Sequence, residues 1–342
     1  MKMDARRLEE ITARYGRLSI AVLGDVCLDR YLEIDPQRQE TSLETGLPVY
    51  NVTRVRAQPG AGGTVINNLA ALGVGRIVPI GFAGEDGEGY ELLRTLRALR
   101  GVCLDGFVQT PLRRTFTYCK PLVLEPGHAP RELNRLDSKN WTPTPPEVEG
   151  QLIEGLRQQA AQIDGLIVMD QVDLAETGVV TRRVLEAVDA LAQRRPELQI
   201  LADSRRGLGG YPAVGLKMNR VELGKFLGVD PPKDLAQTRQ AVQELARRHG
   251  RNVIVTMAEE GLLGATAAGE VAHFGALPLR GPIDIVGAGD AVTANLTVAL
   301  AVGASLAEAL QLANAAASVV VHQLGTTGTA SVAQIAAVLQ PG

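Results

Sequence analysis

The stretch Asp284-Ile285-Val286-Gly287-Ala288-Gly289-Asp290, followed by the uncharged apolar run Ala291 to Val302, constrains this chain more than any other. Two glycines one residue apart let the backbone turn tightly and come close to a ligand. The helix that the apolar run predicts presents unpaired N–H groups and the positive end of its dipole at the turn, which favours an anion there. Asp290, planted beside those groups, can hydrogen-bond a neutral hydroxyl and take its proton as the hydroxyl attacks a phosphoryl group. The combination points to phosphoryl transfer. The same residues also read as a glycine-rich turn with an N-cap aspartate, and the rest of the chain has to separate the two.

A chain of 342 residues can bury a large core as one α/β unit with an appendage. Its net charge of -3 and pI near 5.9 argue against a nucleic-acid footprint and against a basic membrane face. The cysteines Cys27, Cys103 and Cys119 are odd in number and far apart, and the four histidines form no pair at metal-ligand spacing. Reduced thiols and no structural metal are therefore expected. Residues Met1 to Tyr15 read as a charged amphipathic helix rather than a signal peptide, and no apolar run reaches the length of a membrane span. The expectation is a cytoplasmic protein acting on small molecules.

The run Leu18 to Leu23 reads as a buried parallel strand that ends at Gly24-Asp25-Val26-Cys27-Leu28-Asp29. Ligands of open α/β sheets bind beyond the carboxyl ends of strands, so Asp25 and Asp29 either hold a polyol or lie in a solvated loop. From Tyr31 to Arg56, with Leu47 to Val55 the clearest strand, and again over Phe107 to Leu124 and Arg131 to Leu136, strand pattern recurs without helices. These excursions, about residues 31–56 and 107–136, predict a small antiparallel sheet that could cover the site as a lid. Its free edge and apolar face predict a homodimer formed through the lid.

Between the excursions, Pro59 to Gly73 reads as a glycine-rich entry to a helix that stops at Gly73. A dinucleotide fingerprint would close with Gly or Ala, whereas Val65 and Val292 occupy that place after the two glycine turns, which disfavours NAD. A strand at Arg76 to Gly81, a helix at Tyr90 to Leu99 and a proline-rich connector at Trp141 to Pro146 follow. Strands at Leu166 to Met169, Gln199 to Ala202, Val214 to Met218 and Val253 to Met257 then alternate with helices at Glu176 to Gln193 and Leu235 to Arg248. The fold class this predicts is α/β, a doubly wound and mainly parallel sheet sandwiched by helices. Capping boxes at Ser305-x-x-Glu308 and Ser331-x-x-Gln334 fix two late helix starts. Asp170 and Asp203 close strands, and Asn219-x-x-Glu222 places two oxygen donors one helical turn apart. That pair suits Mg²⁺ held through water, or a plain helix cap.

Together these pieces resemble the PfkB, or ribokinase-like, family of carbohydrate kinases over nearly the whole chain. The matching motifs are Asp284-x-x-Gly287-Ala288-Gly289-Asp290, Gly84-x-Asp86-x-x-Gly89, Asn219-x-x-Glu222, Thr256-x-x-x-x-Gly261 and Ala313-Asn314-Ala315. Within that family the chain is most similar to kinases of D-glycero-D-manno-heptose 7-phosphate, through Gly24-Asp25-Val26-x-Leu28-Asp29-Arg30-Tyr31, Leu47-Pro48-Val49-Tyr50, Asn134-Arg135-Leu136-Asp137 and Val319 to Gly325. The resemblance implies ATP, Mg²⁺ and a sugar or sugar-phosphate acceptor, with Asp290 as base and the N–H groups of Ala288, Gly289 and Asp290 as the anion hole. It implies Asn219 and Glu222 near Mg²⁺ and the ATP phosphates, with Arg205, Thr256, Gly261 and Asn314 beside the nucleotide. Asp284 would help bind a monovalent cation such as K⁺. Asp29, Gly60, Ala61, Thr64, Arg135 and Asp170 would face the acceptor. The 342 residues are expected to form a single kinase domain, without the nucleotidyltransferase that some heptose kinases carry in fusion.

The chain departs from the family pattern in four segments. Ala61 and Thr64 stand for Gly and Asn in the sugar loop, and Gln171 and Asp173 stand for Tyr and Lys of the heptose kinases. Asp203-Ser204-Arg205 replaces Asp-Pro-Lys, and Ala258 replaces a glycine. The first two bear on which acceptor is taken, and they motivate the alternative of a catalytically silent sugar- or nucleotide-binding protein on the same fold. Arg30, Arg113, Arg114 and Arg135, in or beside the lid, are candidates for clamping a phosphate on the acceptor.

Overall fold

A computed structural model of the protein describes residues 3–340. The chain opens with α1 (Ala5–Thr12), capped by Asp4, and enters β1 (Ser19–Gly24) and β2 (Val26–Ile34). After the short β3 (Glu40–Thr41) and β4 (Pro48–Val49) come β5 (Val52–Ala61), α2 (Gly62–Ala71), β6 (Arg76–Ile80), β7 (Phe82–Gly84) and α3 (Gly87–Arg97). The middle holds β8 (Val108–Thr110), β9 (Thr117–Val123), β10 (Arg131–Glu132), α4 (Pro146–Gln159), β11 (Gly165–Asp170), α5 (Arg182–Arg194) and β12 (Gln199–Ser204). The last third adds β13 (Gly215–Asn219), α6 (Arg220–Leu227), α7 (Leu235–His249), β14 (Val253–Thr256), β15 (Leu262–Ala265), β16 (Val271–Phe274), α8 (Ala288–Ala301), α9 (Leu306–Val320) and α10 (Val332–Leu339).

The main sheet runs β16-β15-β14-β13-β12-β11-β1-β6, parallel from β14 to β6 and antiparallel at the β15 and β16 edge. Along β1, Ile20 and Val22 face one apolar layer and Ala21 and Leu23 the other, as a central strand covered on both faces requires. The first layer is built from α1, α2, α3, α8, α9 and α10, the second from α4, α5, α6 and α7. The fold is the doubly wound, helix-sandwiched sheet that the sequence predicts. Helix α8 is apolar on every side because it is buried on every side, against α2, α9 and the sheet.

The lid is a second sheet in the order β10-β9-β2-β5, with β2 antiparallel to β5 and parallel to β9. Its extent corrects the sequence reading. Only Asp25 separates β1 from β2, so the lid begins at Val26 rather than Tyr31, and β5 runs to Ala61, past Arg56. Residues 108–110 pair with β7 in a separate small ladder and lie outside the lid. The expected strand over Leu47 to Val55 is broken between Val49 and Val52.

Helix bounds shift for local reasons. Asp86 accepts from Gly89 N–H, so α3 starts at Gly87, and Thr181 caps α5 at Arg182, later than the expected Glu176. The opening helix occupies Ala5–Thr12 rather than the whole of residues 1–15, whose first two lie outside the described residues. Helix α4 and the β15 and β16 edge have no counterpart in the sequence reading.

Candidate active site

Helix α8 begins inside the glycine turn. Gly287, at φ 84°, is its N-cap, which places Asp290 third within the helix and corrects the N-cap reading of that aspartate. The left-handed backbone favours glycine at 287, where an added Cβ would also come to 3.5 Å from Thr64 Cγ2 and from Thr327. Ala288 N–H donates to the Ile285 carbonyl at 3.3 Å, so the expected three-donor hole narrows. The N–H groups of Gly289 and Asp290 sit in the first turn, where no helical carbonyl reaches them, and they remain as anion donors.

Beneath this turn lies a buried cation absent from the sequence reading. Lys217, on β13, places Nζ 2.6 Å from Asp203 Oδ2 and close enough to Gly289 that a Cβ there would stand 3.1 Å away. Asp203 also accepts from Thr293 Oγ1 at 3.3 Å, one turn along α8. Burial alone would push the Lys217 ammonium down in pKa, but Asp203, Asp290 and Glu222 outweigh it and raise the group. Burial pushes Asp290 up to about 7, against the pull of Lys217, with Asp203 and Asp29 adding to the rise. A carboxylate poised near neutrality suits a general base. Lys217 is a buried charged residue between buried Leu216 and Met218 on β13.

On the lid side, Asp29 is buried in β2 opposite Gln58 of β5 and Tyr118 of β9. Gly60 is required by close approach, since a Cβ there would lie 2.7 Å from the Asp29 carboxyl. Burial raises the Asp29 pKa, and Lys120, with Nζ at 3.7 Å, and Arg135 oppose it. Ala61 adopts φ 53° and ψ -122°, a strained conformation for a residue with a Cβ. Arg135 stacks 4.9 Å over Tyr118 and pairs with Asp137. The other lid arginines are engaged elsewhere: Arg30 with Glu91, Arg113 with the carbonyls of Thr142, Pro143 and Thr177, and Arg114 with Glu88 at 3.8 Å.

Asp25 and Asp170, at the carboxyl ends of β1 and β11, are both held by protein donors. Asp25, fully buried, accepts from the N–H groups of Gln171, Val172 and Val179 and so pins both ends of the loop between β11 and α5. Asp170, also fully buried, accepts through Oδ2 from Ser204, Arg206 and Tyr211. Its Oδ1 has no hydrogen-bond partner among the described residues.

On the nucleotide side, Asn219 and Glu222 form the capping box of α6, using Asn219 Oδ1 and Glu222 Oε2. Thr256 ends β14 beside Asn219, and Gly261 turns at φ 80°, where a Cβ would strike the Phe274 carbonyl at 2.1 Å. Asn314 donates to the Gly275 carbonyl, while Asp284 N–H donates to Val321 and its side chain accepts from Val286 N–H. These bonds hold the 275–286 segment over the start of α8. Arg205 does not join this group. Its exposed guanidinium lies 3.6 Å from Asp173 of the loop between β11 and α5. No group of three potential metal ligands occurs among the described residues, and no helix among them is long and apolar enough to cross a membrane.

The anion turn, the half-buried Asp290 carboxylate and the covering sheet can be set beside known proteins. Residues 19–333 match the pattern described as pfkB family carbohydrate kinase. The chain belongs to this family. Its members are sugar kinases that transfer phosphate to a hydroxyl, using ATP with Mg²⁺. The bifunctional protein HldE of Trichlorobacter lovleyi is 33% identical over 98% of this chain and 66% of its own length, and that of Rhodospirillum rubrum 32% identical over 97% and 64%. The chain thus spans just under two thirds of these relatives. Phosphofructokinase-2 from Escherichia coli, solved with substrates and products, shares the fold at TM-score 0.70 and 20% identity, covering 94% of this chain and 98% of that one. Ribokinase from Arabidopsis thaliana, solved with ribose and ATP, does so at 0.64 and 18%, covering 94% and 99%.

Proposed function

We propose that this pfkB kinase phosphorylates a hydroxyl of a sugar phosphate, of the heptose 7-phosphate type, with Asp290 as general base. The observation that carries the reading is a near-neutral carboxylate inside an anion-binding helix start, with Lys217 below and Asp29 on the lid side. The acceptor hydroxyl gives its proton to Asp290 as its oxygen bonds the γ-phosphorus, and the bond from that phosphorus to the β-phosphate oxygen breaks. The N–H groups of Gly289 and Asp290 and the Lys217 ammonium meet charge spread over the transferring group. Asp29, backed by Lys120, accepts hydrogen bonds from neighbouring sugar hydroxyls, with Gly60, Ala61 and Thr64 shaping the wall beside it.

An anionic nucleotide fits a wall made of the 256–261 turn, Asn314 and the 275–286 segment. Glu222 and Asn219 would hold Mg²⁺ through water, and that ion supplies neutralisation of the phosphate charge. Asp284, in the segment leading to the turn, is the candidate for a K⁺ site. The whole is read as one kinase domain. The exposed lid residues Tyr50, Val52 and Val55 lie at and beside the free edge of β5, and a second copy pairing there would cover them. Sedimentation at micromolar concentration should show a dimer; a monomer would remove that part.

The test of function is incubation with ATP, Mg²⁺ and a panel of sugars and their terminal phosphates, with formation of ADP and phosphorylated product followed. Transfer to a heptose or related sugar phosphate is expected. Binding without transfer to any member would favour the silent binding protein.

A further inference from the structure

The loop between β11 and α5 is held at Gln171, Val172 and Val179 by Asp25, and the stretch between those anchors carries Asp173. Asp173 bridges two cations from different parts of the fold. Its Oδ2 lies 2.7 Å from Lys139 Nζ, in the segment that leaves the lid, and its Oδ1 lies 3.6 Å from Arg205 Nε, just beyond β12. One carboxylate thereby offers two oxygens to an ammonium and a guanidinium, the arrangement a phosphate presents with a third oxygen to spare. The pair is solvent-exposed, with Asp173 55% and Arg205 58% accessible, so it contributes little to stability and separates readily.

Its position is distal to the reacting end. Gly287 of the anion turn abuts Thr64 and Gly60 abuts the Asp29 carboxyl, Asp29 is the cross-strand partner of Tyr118, and Tyr118 lines one hollow with Lys139 and Asp173. A sugar with its reacting hydroxyl at Asp290 and its middle hydroxyls at Asp29 would carry a terminal phosphate toward this cluster. We propose that Lys139 and Arg205 form the seat for the acceptor's own phosphate, and that Asp173 occupies the seat until that phosphate displaces it. The proposal rests on the sugar-phosphate reading above and adds a built-in competitor that penalises acceptors lacking the terminal phosphate.

Trp141, the sole tryptophan, is exposed and lines a small hollow with Lys139, Asp173 and Tyr118, so its fluorescence reports on the seat. The experiment titrates inorganic phosphate into the full chain with ADP present to fill the nucleotide end. Asp173→Asn should bind phosphate roughly ten-fold more tightly than wild type, the scale of one removed competing charge at an accessible site. Lys139→Met and Arg205→Met should each lose the saturable response while retaining the wild-type melting profile. Equal phosphate affinity in wild type and Asp173→Asn, or a response that survives both cation replacements, overturns the seat. The acceptor panel separates the two readings: turnover that is indifferent to a terminal phosphate removes the seat and leaves the kinase, whereas no turnover removes the kinase reading and leaves the phosphate titration to judge the seat.

Discussion

Lys217 Nζ lies 2.6 Å from Asp203 Oδ2 and directly under Gly289, so a buried ion pair supports the helix start that carries Asp290. The cation lowers the Asp290 pKa, and in the proposed reaction it meets the charge of the transferring phosphoryl group. Lys217→Met should therefore move the rising limb of the pH–rate profile upward and reduce kcat by roughly two orders of magnitude, as loss of a charge-stabilising donor does. Acceptor KM should change little. A pH profile and kcat matching wild type would show that Lys217 serves only Asp203.

Gly60 leaves room for the Asp29 carboxyl. Gly60→Ala should push that carboxyl aside and raise the acceptor KM by roughly ten-fold or more, with nucleotide KM unchanged. Steady-state kinetics with each substrate varied in turn checks this, and an equal effect on both would point to general distortion.

Ala61 holds a conformation suited to glycine. Ala61→Gly should raise stability by about 1 kcal/mol, because relief of strain exceeds the added freedom of the unfolded chain. Denaturant melts measure it, and a loss of stability would show that the Ala61 methyl packs better than its backbone suggests.

Asp25 accepts three N–H donors in a fully buried place. Asp25→Ala should cost about 2–4 kcal/mol by stranding those donors, and hydrogen exchange should quicken across residues 171–179. Protection unchanged in that loop would contradict the staple.

The parallel sheet, the helix starts at Ser305 and Ser331 and the glycine turn were legible because each depends on local pattern: apolar runs, capping boxes, paired glycines. The surroundings of Asp25 and Asp170 were not legible, because position at a strand's carboxyl end does not tell whether a carboxylate faces solvent or the donors of a distant segment. The pairing of Arg205 with Asp173 was hidden for a related reason, since the two come from separate segments of the chain. Lys217 and Lys139 gain their meaning only from residues brought near by folding.

The central claim is that Asp290 is the base, and Asp290→Asn tests it most directly. Burial holds the Asp290 pKa near 7, above its unfolded value of 3.8, so the ionised form is disfavoured in the fold and its contribution to stability falls as pH rises between those values. Asn cannot ionise, so Asp290→Asn should be more stable than wild type at pH 8 by roughly 1–3 kcal/mol, with the gain fading toward pH 4. Its kcat should fall by roughly two to four orders of magnitude with nucleotide affinity retained. Measured on the acceptor found in the panel, a stable Asp290→Asn protein with near-wild-type kcat would contradict the account.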